Sequence, residues 1–197
     1  MANPKRITEI PTIDVVMVMI ETDTESYILD TANKIGVEPQ IETTDAVKLI
    51  IKNRLVAQKS EQSTITGNKI TLTDNVFAPE LVKILQGGTI RYWTSAEKTA
   101  DGTEPTSFGI SGYTPPITGS NEKGVVFKLH AFSAQYDTSG QIVQYEKITY
   151  PNCQGVPVAF SSEDGAFRAP EYTINSAPKS TEAPYDIRYV DKLPTVA

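Results

Sequence analysis

The sequence has very few of the residues that build metal and redox sites, since its 197 residues include one His, His130, and one Cys, Cys153. One residue of each kind cannot form a Cys/His zinc cage, a CxxC redox pair or an intramolecular disulfide. An all-carboxylate metal site stays open by this count. A Cys153–His130 dyad is disfavoured, because nothing near Cys153 in sequence supplies the basic or helix-start environment that activates a thiol. We therefore expect no metal site, no cofactor and no enzymatic activity.

Long apolar runs and clusters of positive charge are also missing. The longest apolar run, residues 15–20, contains six residues, whereas a membrane-spanning helix needs about 20. No signal peptide is visible at the amino terminus, so we expect synthesis in the cytoplasm and no membrane insertion. The formal net charge is −6, and no Lys/Arg cluster supplies the basic surface that nucleic-acid binding requires.

The residues that are present predict a mainly β fold. Short runs of Val, Ile, Thr and Tyr recur between Gly, Pro, Asn and Asp, as is typical of strands. Residues 15–20 and 27–29 predict a hairpin with an acidic tip. Residues 46–55 fit either a strand or a helix by their apolar spacing, and their β-branched content favours a strand. Further strands are expected at residues 69–73, 125–134, 142–150, 156–160 and 167–174.

One short helix is predicted at about residues 78–86. Pro79 suits the first helical position, Glu80 favours the positive end of the helix dipole, and Gly87 suits the residue after the last turn. Two stretches with little regular pattern, residues 56–64 and 94–124, are predicted to be long loops. The length suits a single domain over residues 1–197, built as a β-sandwich or half-barrel with this helix on its flank.

Two surface features have alternative interpretations. The segment from Asp14 to Asp30 contains five carboxylates and no Lys or Arg. This segment is either an ordinary solvated hairpin end or a surface that must not bind a polyanion. The aromatic residues Tyr92, Trp93 and Tyr113 would suit a sugar-binding platform, which gives the alternative function of a β-sandwich binding module, carbohydrate-binding or adhesin-like.

Three passages resemble bacteriophage major tail proteins, also called tail tube proteins. Residues 70–85, ITLTDNVFAPELVKIL, resemble the passage from strand to short helix in that family. Residues 146–158, EKITYPNCQGVPV, and residues 163–174, EDGAFRAPEYTI, resemble later passages of it. The resemblance covers less than half of the chain and contains no catalytic motif.

The resemblance implies a structural subunit that forms hexameric rings, which stack into a hollow tube for genome ejection. In that family the excursion before the helix reaches an adjacent subunit or ring, which makes Gln58, Lys59, Glu61 and Gln62 the candidate contacts here. The expected partners are other copies of the chain, together with sheath, tape-measure and tail-terminator proteins, in the virion tail. An acidic lumen would let DNA pass without forming ion pairs, and its candidates are Glu21, Asp23 and Glu25.

Overall fold

A computed structural model of the protein describes residues 10–94, 96, 109–161, 164–165 and 169–195. The described residues confirm the mainly β fold with one short helix. In chain order the elements are β1 (Thr12–Glu21), β2 (Ser26–Leu29), β3 (Ala32–Thr44), β4 (Val47–Ile51), β5 (Arg54–Lys59), β6 (Gln62–Asp74), α1 (Pro79–Gln86), β7 (Thr89–Tyr92), β8 (Ile110–Thr114), β9 (Phe127–Tyr136), β10 (Ile142–Gly155), β11 (Glu171–Ser176) and β12 (Asp186–Val190).

Eight strands form one antiparallel sheet in the order β2-β1-β9-β10-β11-β6-β3, with β12 paired to β10 outside this path. Strand β10 is long enough to have two neighbours along one edge. Its first half pairs with β12, from Tyr145 opposite Val190 onward, and its last residues pair with β11, where Cys153 lies opposite Ser176. Strands β4 and β5 form a separate ribbon, and so do β7 and β8.

The large sheet must bend back on itself because its two ends are joined by a short connection. Strand β2 lies at one end of the sheet and β3 at the other, and only Asp30 and Thr31 separate them in sequence. The backbone N–H of Asn75, just after β6, donates to the carbonyl of Thr31 at 3.3 Å. The result is a curled, open sheet and not a closed barrel, in agreement with the predicted half-barrel.

The concave side of this sheet holds the core. Alternate residues of the central strands point inward, as the period of two in a β-strand requires. Helix α1 covers this core through one apolar stripe, and eight residues would not form a stable helix without that packing. The fully buried apolar residues at the centre are Val18, Ile20, Ile70, Leu72, Val82, Leu129, Tyr172 and Ile174.

Both ends of α1 are held by the sheet and by neighbouring loops. The helix has no side-chain cap at Ala78, whose backbone N–H donates instead to the hydroxyl of buried Tyr172 at 3.4 Å. At the other end, Gly87 has a φ of 83° and its N–H donates to Lys83 at 2.8 Å. The hydroxyl of Tyr113 donates to the carbonyl of Gly87 at 2.7 Å. The predicted helix is thus confirmed, with its position fixed at both ends.

Several predicted boundaries are corrected. Residues 56–64 are mostly strand, since β5 extends to Lys59 and β6 begins at Gln62. The predicted loop at 94–124 contains strand β8, and the part from 97 to 108 lies outside the described residues. The predicted strand at 156–160 is absent, because β10 itself continues to Gly155. A bulge at residues 150–153 accommodates Pro151 and lets β10 continue past it.

Candidate assembly surface

The most unusual surface of the protein is a long β-ribbon, which we call the arm and define as residues 41–64. The arm consists of the outer ends of β3 and β6 followed by the whole of β4 and β5. Pairing runs almost continuously along it, from Ile41 opposite Ile65 to Thr44 opposite Gln62, and then from Val47 opposite Lys59 toward the tip. Every residue from 41 to 64 is exposed. The arm therefore contributes nothing to the core of its own chain.

The tip of the arm is a tight two-residue turn. Ile51 pairs with Arg54 across it, and the residues between them, Lys52 and Asn53, have φ values of 47° and 63°. Two consecutive positive φ angles are characteristic of the type I′ turn, whose twist matches that of the flanking strands. The arm is therefore a paired β-hairpin to its very end, with one irregularity in the β4–β5 register between Leu49 and Ile50.

The arm exposes an unusual amount of apolar surface. Monomeric proteins rarely leave contiguous apolar patches of this kind in water, and open strand edges beside such a patch promote pairing with another chain. A two-stranded ribbon is also only marginally stable on its own. These properties indicate a surface that is covered by a partner. The large apolar residues of the arm, each 51% to 64% exposed, are Ile41, Val47, Leu49, Ile50, Ile51, Leu55 and Val56.

The four contact residues that the resemblance implies all lie on this arm. Gln58 and Lys59 end β5, Glu61 lies in the break between strands, and Gln62 begins β6. All four are exposed. The structure therefore places these candidates on one exposed ribbon, with Gln58, Lys59 and Gln62 on paired strands and Glu61 in the short break between them.

The apolar residues of the arm were not recognised as a site from the sequence. The prediction of one strand over residues 46–55 is wrong, because the structure divides this stretch between β4 and β5 at the turn of Lys52 and Asn53. The apolar residues at 47, 49, 50, 51, 55 and 56 do not alternate with period two. Such a pattern puts apolar side chains on both faces of a ribbon. It therefore indicates a strand in which neither face alone is buried.

The three candidate lumen residues lie at the end of the β1–β2 hairpin, and their surroundings differ. Glu21 accepts hydrogen bonds from Lys128 Nζ at 3.2 Å and His130 Nε2 at 3.1 Å, and the bond from His130 is the main reason that its pKa is lowered. Asp23 is exposed in the turn. Glu25 accepts from the hydroxyl of Tyr27, which raises the pKa of that phenol to about 12. Asp23 and Glu25 therefore carry negative charge that no cation of the described residues pairs with.

His130 is buried, with 3% of its surface exposed, and both ring nitrogens have partners. Nδ1 lies 2.9 Å from the hydroxyl of Thr149 and Nε2 lies 3.1 Å from Glu21. Because the carboxylate only accepts hydrogen bonds, the neutral ring carries its proton on Nε2 and accepts from Thr149 at Nδ1. These partners leave neither ring nitrogen for Cys153. Burial and the charge of Lys147 lower the pKa of His130, while Glu21 opposes them.

Stability should therefore fall as the pH decreases through the range in which His130 titrates. The folded pKa lies below the unfolded value of 6.5, so the unfolded state binds a proton first and stability present above that value is lost at lower pH. Replacing His130 with Gln should flatten the pH dependence of the unfolding free energy as the pH falls below 6.5, the unfolded value of His130. Urea denaturation of both proteins measures the difference, and the comparison is made above the range in which Glu21 titrates, because the hydrogen bond from His130 also lowers the pKa of Glu21. Parallel curves for the two proteins would contradict this role of His130.

Cys153 is fully buried, and its Sγ lies 3.3 Å from the carbonyl oxygen of Tyr150. Burial raises the pKa of this thiol to about 11. A neutral, enclosed thiol is a poor nucleophile. Cys153 is therefore a small residue of the core.

The three aromatic candidates for a sugar platform lie on or next to the β7–β8 ribbon, where Tyr92 pairs with Ile110 and Tyr113 pairs with Ile90. The hydroxyl of Tyr113 is bound at the end of α1, where it donates to Gly87 and accepts from Gln86 at 2.9 Å. The backbone N–H of Trp93 donates to Gly109 at 3.0 Å. Tyr92 is 54% exposed and lines a cavity. Tyr113 therefore stabilises the C-terminal end of α1.

That cavity, of about 330 Å³, lies between the β1–β2 turn, helix α1 and strand β7. Apolar parts of its wall come from residues such as Tyr27, Ile84 and Ile90. Glu122 also lines it and accepts from the backbone N–H of Gly88 at 3.1 Å. The other charged residues in its wall are Glu25, Glu80, Lys83 and Lys123.

Two general properties complete the description of the surface. Within the described residues, no helix has the length and apolar content that crossing a membrane requires. Among the same residues, no group of three or more His, Cys, Asp or Glu side chains is arranged to hold a metal ion.

Comparison with known proteins gives matches among solved structures. No known protein family matches the sequence, and no curated protein matches it. A chain from the cryo-EM structure of the anti-feeding prophage cap, a tube terminating cap, aligns over 95% of both chains with 9% identity and a TM-score of 0.36.

Two further matches come from related assemblies. One belongs to the extended sheath–tube complex of an extracellular contractile injection system, PVC, and aligns over 92% of this chain and 93% of that chain with 12% identity and a TM-score of 0.37. The other belongs to the six-fold symmetrised baseplate of the anti-feeding prophage and aligns over 97% and 98% with 8% identity and a TM-score of 0.33. These neighbours are components of phage-like contractile injection systems. At TM-scores and identities this low, the similarities carry no conclusion about this chain.

Proposed function

We propose that this chain is a structural subunit of a phage tail tube, or of a phage-derived tube, with no catalytic role. Copies would form hexameric rings that stack into a hollow conduit for genome ejection. The support from sequence is the resemblance of residues 70–85, 146–158 and 163–174 to tail tube proteins. The support from structure is the exposed apolar surface of the arm, which would be stabilised by contact with other chains.

The arm is the observation that carries this proposal. It is a paired β-ribbon that is exposed over its whole length and carries seven large apolar residues. Such a surface is stabilised when another chain covers it, because each buried Val, Leu or Ile side chain contributes about 1.5–3 kcal/mol. Identical copies that repeat one contact generate a ring when the rotation closes. An assembly of this chain with itself therefore accounts for the arm without any additional component.

The open sheet supplies further surfaces for assembly. Strands β2 and β3 end the pairing order of the large sheet, and β12 pairs only with β10. Open edges of this kind pair with strands from neighbouring chains. In the proposed tube they would join neighbouring subunits into a continuous sheet, while sheath, tape-measure and terminator proteins would bind the finished tube in the virion tail.

The lumen of the proposed tube must let DNA pass without holding it. Of the three candidates, Glu21 is partly neutralised by Lys128, with a separation of 3.2 Å. Asp23 and Glu25 keep their negative charge within the described contacts. An acidic lumen at these positions remains a prediction of the proposal.

The purified protein should form rings or tubes as its concentration rises. The physical reason is the apolar surface of the arm, whose burial drives association. Negative-stain electron microscopy and analytical ultracentrifugation measure this directly. A protein that stays monomeric at the highest attainable concentration, and shows no rings by microscopy, would contradict the proposed function.

A further inference from the structure

We propose that the basic tip of the arm of one copy binds beside the acidic cavity of a second copy. The basic tip is the β4–β5 hairpin, residues 47–59, and the acidic cavity is the one that Glu25 and Glu80 line. This inference rests on the proposed tube function, because it identifies the surface that receives the arm. It places Glu25 at a contact between copies and not in the lumen, so that Glu21 and Asp23 are the lumen candidates that remain with it. It depends on the charge and shape of two surfaces, the basic tip and the acidic cavity, which do not contact each other within one copy.

The basic tip carries an excess of positive charge that is exceptional in this protein. Residues 47–59 contain four cations and no carboxylate, although the whole chain has a net charge of −6. These four residues are Lys48, Lys52, Arg54 and Lys59, and all of them are exposed. In the described part of the chain the ion pairs are those of Lys128, His130 and Arg188. The cations of the arm thus have no ionic partner there.

The acidic cavity has the complementary composition. Glu25 and Glu80 both line it, on the β1–β2 turn and on the first turn of α1, and Asp23 lies in the same exposed turn as Glu25. Glu25 accepts a hydrogen bond from Tyr27, which also lines the cavity; this bond is the main reason that the pKa of Tyr27 is raised, and the charge of Glu80 adds to it. Lys83, Lys123 and Glu122 line the cavity toward the end of α1, where Glu122 accepts from Gly88. The acidic part of the cavity is therefore the part formed by the β1–β2 turn and the start of α1.

Apolar surface is complementary as well. The basic tip presents Leu49, Ile50 and Leu55, which are exposed by 51% to 60%. The cavity is lined by Ile84, Ile90 and Tyr92, among which Tyr92 is 54% exposed. A contact that combines apolar burial with opposite charges at its rim has the usual composition of a protein interface.

A second copy is favoured over DNA as the partner of the arm. Duplex DNA is bound through cations on polar surfaces, and contacts with phosphates do not cover large apolar side chains. The basic tip has more large apolar residues than cations. No residue of the arm lines the cavity within one copy, so the cavity is open to the arm of another.

A charge-swap experiment tests the contact. The first variant, K52E/R54E, reverses the tip, and the second, E25K/E80K, reverses the cavity. Each alone should raise the concentration needed for assembly about tenfold or more, because like charges then meet at the contact. The chain with all four substitutions should assemble at close to the wild-type concentration, since the opposite charges are restored in reversed order. Pelleting by ultracentrifugation with negative-stain microscopy gives the concentration.

The matched control for K52E/R54E is K179E/K192E, which lowers the net charge by the same amount at exposed positions outside the arm and the cavity. It should assemble as the wild type does. Because Glu80 lies at the start of α1, where a negative charge is favourable, E25Q/E80Q is included as a milder cavity variant. Thermal melting must show that each variant is folded, and E25Q/E80Q should still raise the assembly concentration if E25K/E80K does not fold.

The outcomes separate this inference from the proposed function. If wild-type protein forms no rings or tubes, both are wrong. If the wild type assembles and K52E/R54E has no effect, the arm binds elsewhere and only this inference is overturned. The same holds if the chain with all four substitutions does not regain assembly at close to the wild-type concentration. Binding of a fluorescent DNA duplex that K52E/R54E abolishes, with assembly unchanged, would also overturn it in favour of a nucleic-acid partner.

Discussion

A chain in which Asn-Gly replaces residues 45–61, and thus joins Thr44 to Gln62, is expected to fold normally and to remain monomeric. Thr44 and Gln62 are directly opposite each other in the β3–β6 ladder, so a two-residue turn can connect them without changing the register. Asn-Gly is the preferred sequence for a type I′ turn at such a position. The deleted residues are all exposed, so the core loses no contact.

The expected effect on assembly is complete loss. The deletion removes most of the exposed apolar surface of the arm, namely Val47, Leu49, Ile50, Ile51, Leu55 and Val56. Residues of this kind at the centre of an interface often account for most of its binding energy. The free energy of unfolding should change by less than about 1 kcal/mol, as is usual for changes at the surface. Urea denaturation measures the unfolding, and ultracentrifugation with electron microscopy measures the assembly.

The deletion boundaries matter because the arm is a paired ribbon. If residues 56–64 were a loop, a deletion of residues 58–63 alone would be the natural choice. That deletion removes the pairing partners of Val47 and Thr43 and leaves the apolar hairpin in place. That protein should aggregate. The complete deletion, in contrast, leaves a properly paired end.

A full-length variant provides the matched control for the deletion. In L49T/I51T/V56T the ribbon keeps its length and its β-branched character, while the apolar surface is reduced. It should lose assembly in the same way. If the shortened chain still forms normal tubes, the arm is not the contact on which assembly depends, and the proposed role of the arm is wrong.

Replacing Gly155 with Ala is expected to destabilise the fold by about 1–3 kcal/mol, the usual cost of adding volume to a packed core. A Cβ atom at Gly155 would lie 2.4 Å from Leu85 Cβ and 2.5 Å from Leu85 Cα. Such distances require the backbone of α1 to move, since no rotation of a side chain relieves a contact with a Cα atom. The helix therefore packs directly on the end of β10, where only glycine fits.

This substitution should also weaken assembly, because α1 forms one wall of the acidic cavity. Gly36→Ala is a suitable control in strand β3, since its added Cβ would meet only Thr71 at 3.9 Å. Its effect on the unfolding free energy should stay within about 0.5 kcal/mol. Equal urea midpoints for the Gly155 variant and the wild type would show that the helix is packed less tightly than the structure indicates.

Features that depend on neighbours in sequence could be predicted well. The helix was expected at about 78–86 and extends over Pro79–Gln86, because Pro79, Glu80 and Gly87 act within one or two turns. The hairpin with its acidic tip was expected from two apolar runs and the polar residues between them, and β1 pairs with β2 in that manner. In both cases the signal and the structure lie within a few residues of each other.

Features that depend on distant pairing could not be predicted in the same way. Residues 58–64 are polar and have no apolar alternation, so they indicated a loop. All of them except Ser60 and Glu61 are strand, because Gln58 lies opposite Lys48 and Thr64 lies opposite Glu42. Backbone hydrogen bonds between strands are independent of side-chain polarity, so a strand with two exposed faces leaves no pattern of burial in the sequence.

The mainly β composition, the short helix, the excess of acidic residues and the scarcity of His and Cys can all be read from the sequence. Three features require the folded chain: the exposure of the apolar residues at 47–56 on an arm, the burial of His130 between Glu21 and Thr149, and the cavity beside the acidic turn. This difference arises because composition and helix signals act over a few neighbouring residues. Which surface remains uncovered depends on how the whole sheet curls, and that is set by contacts between residues far apart in the chain.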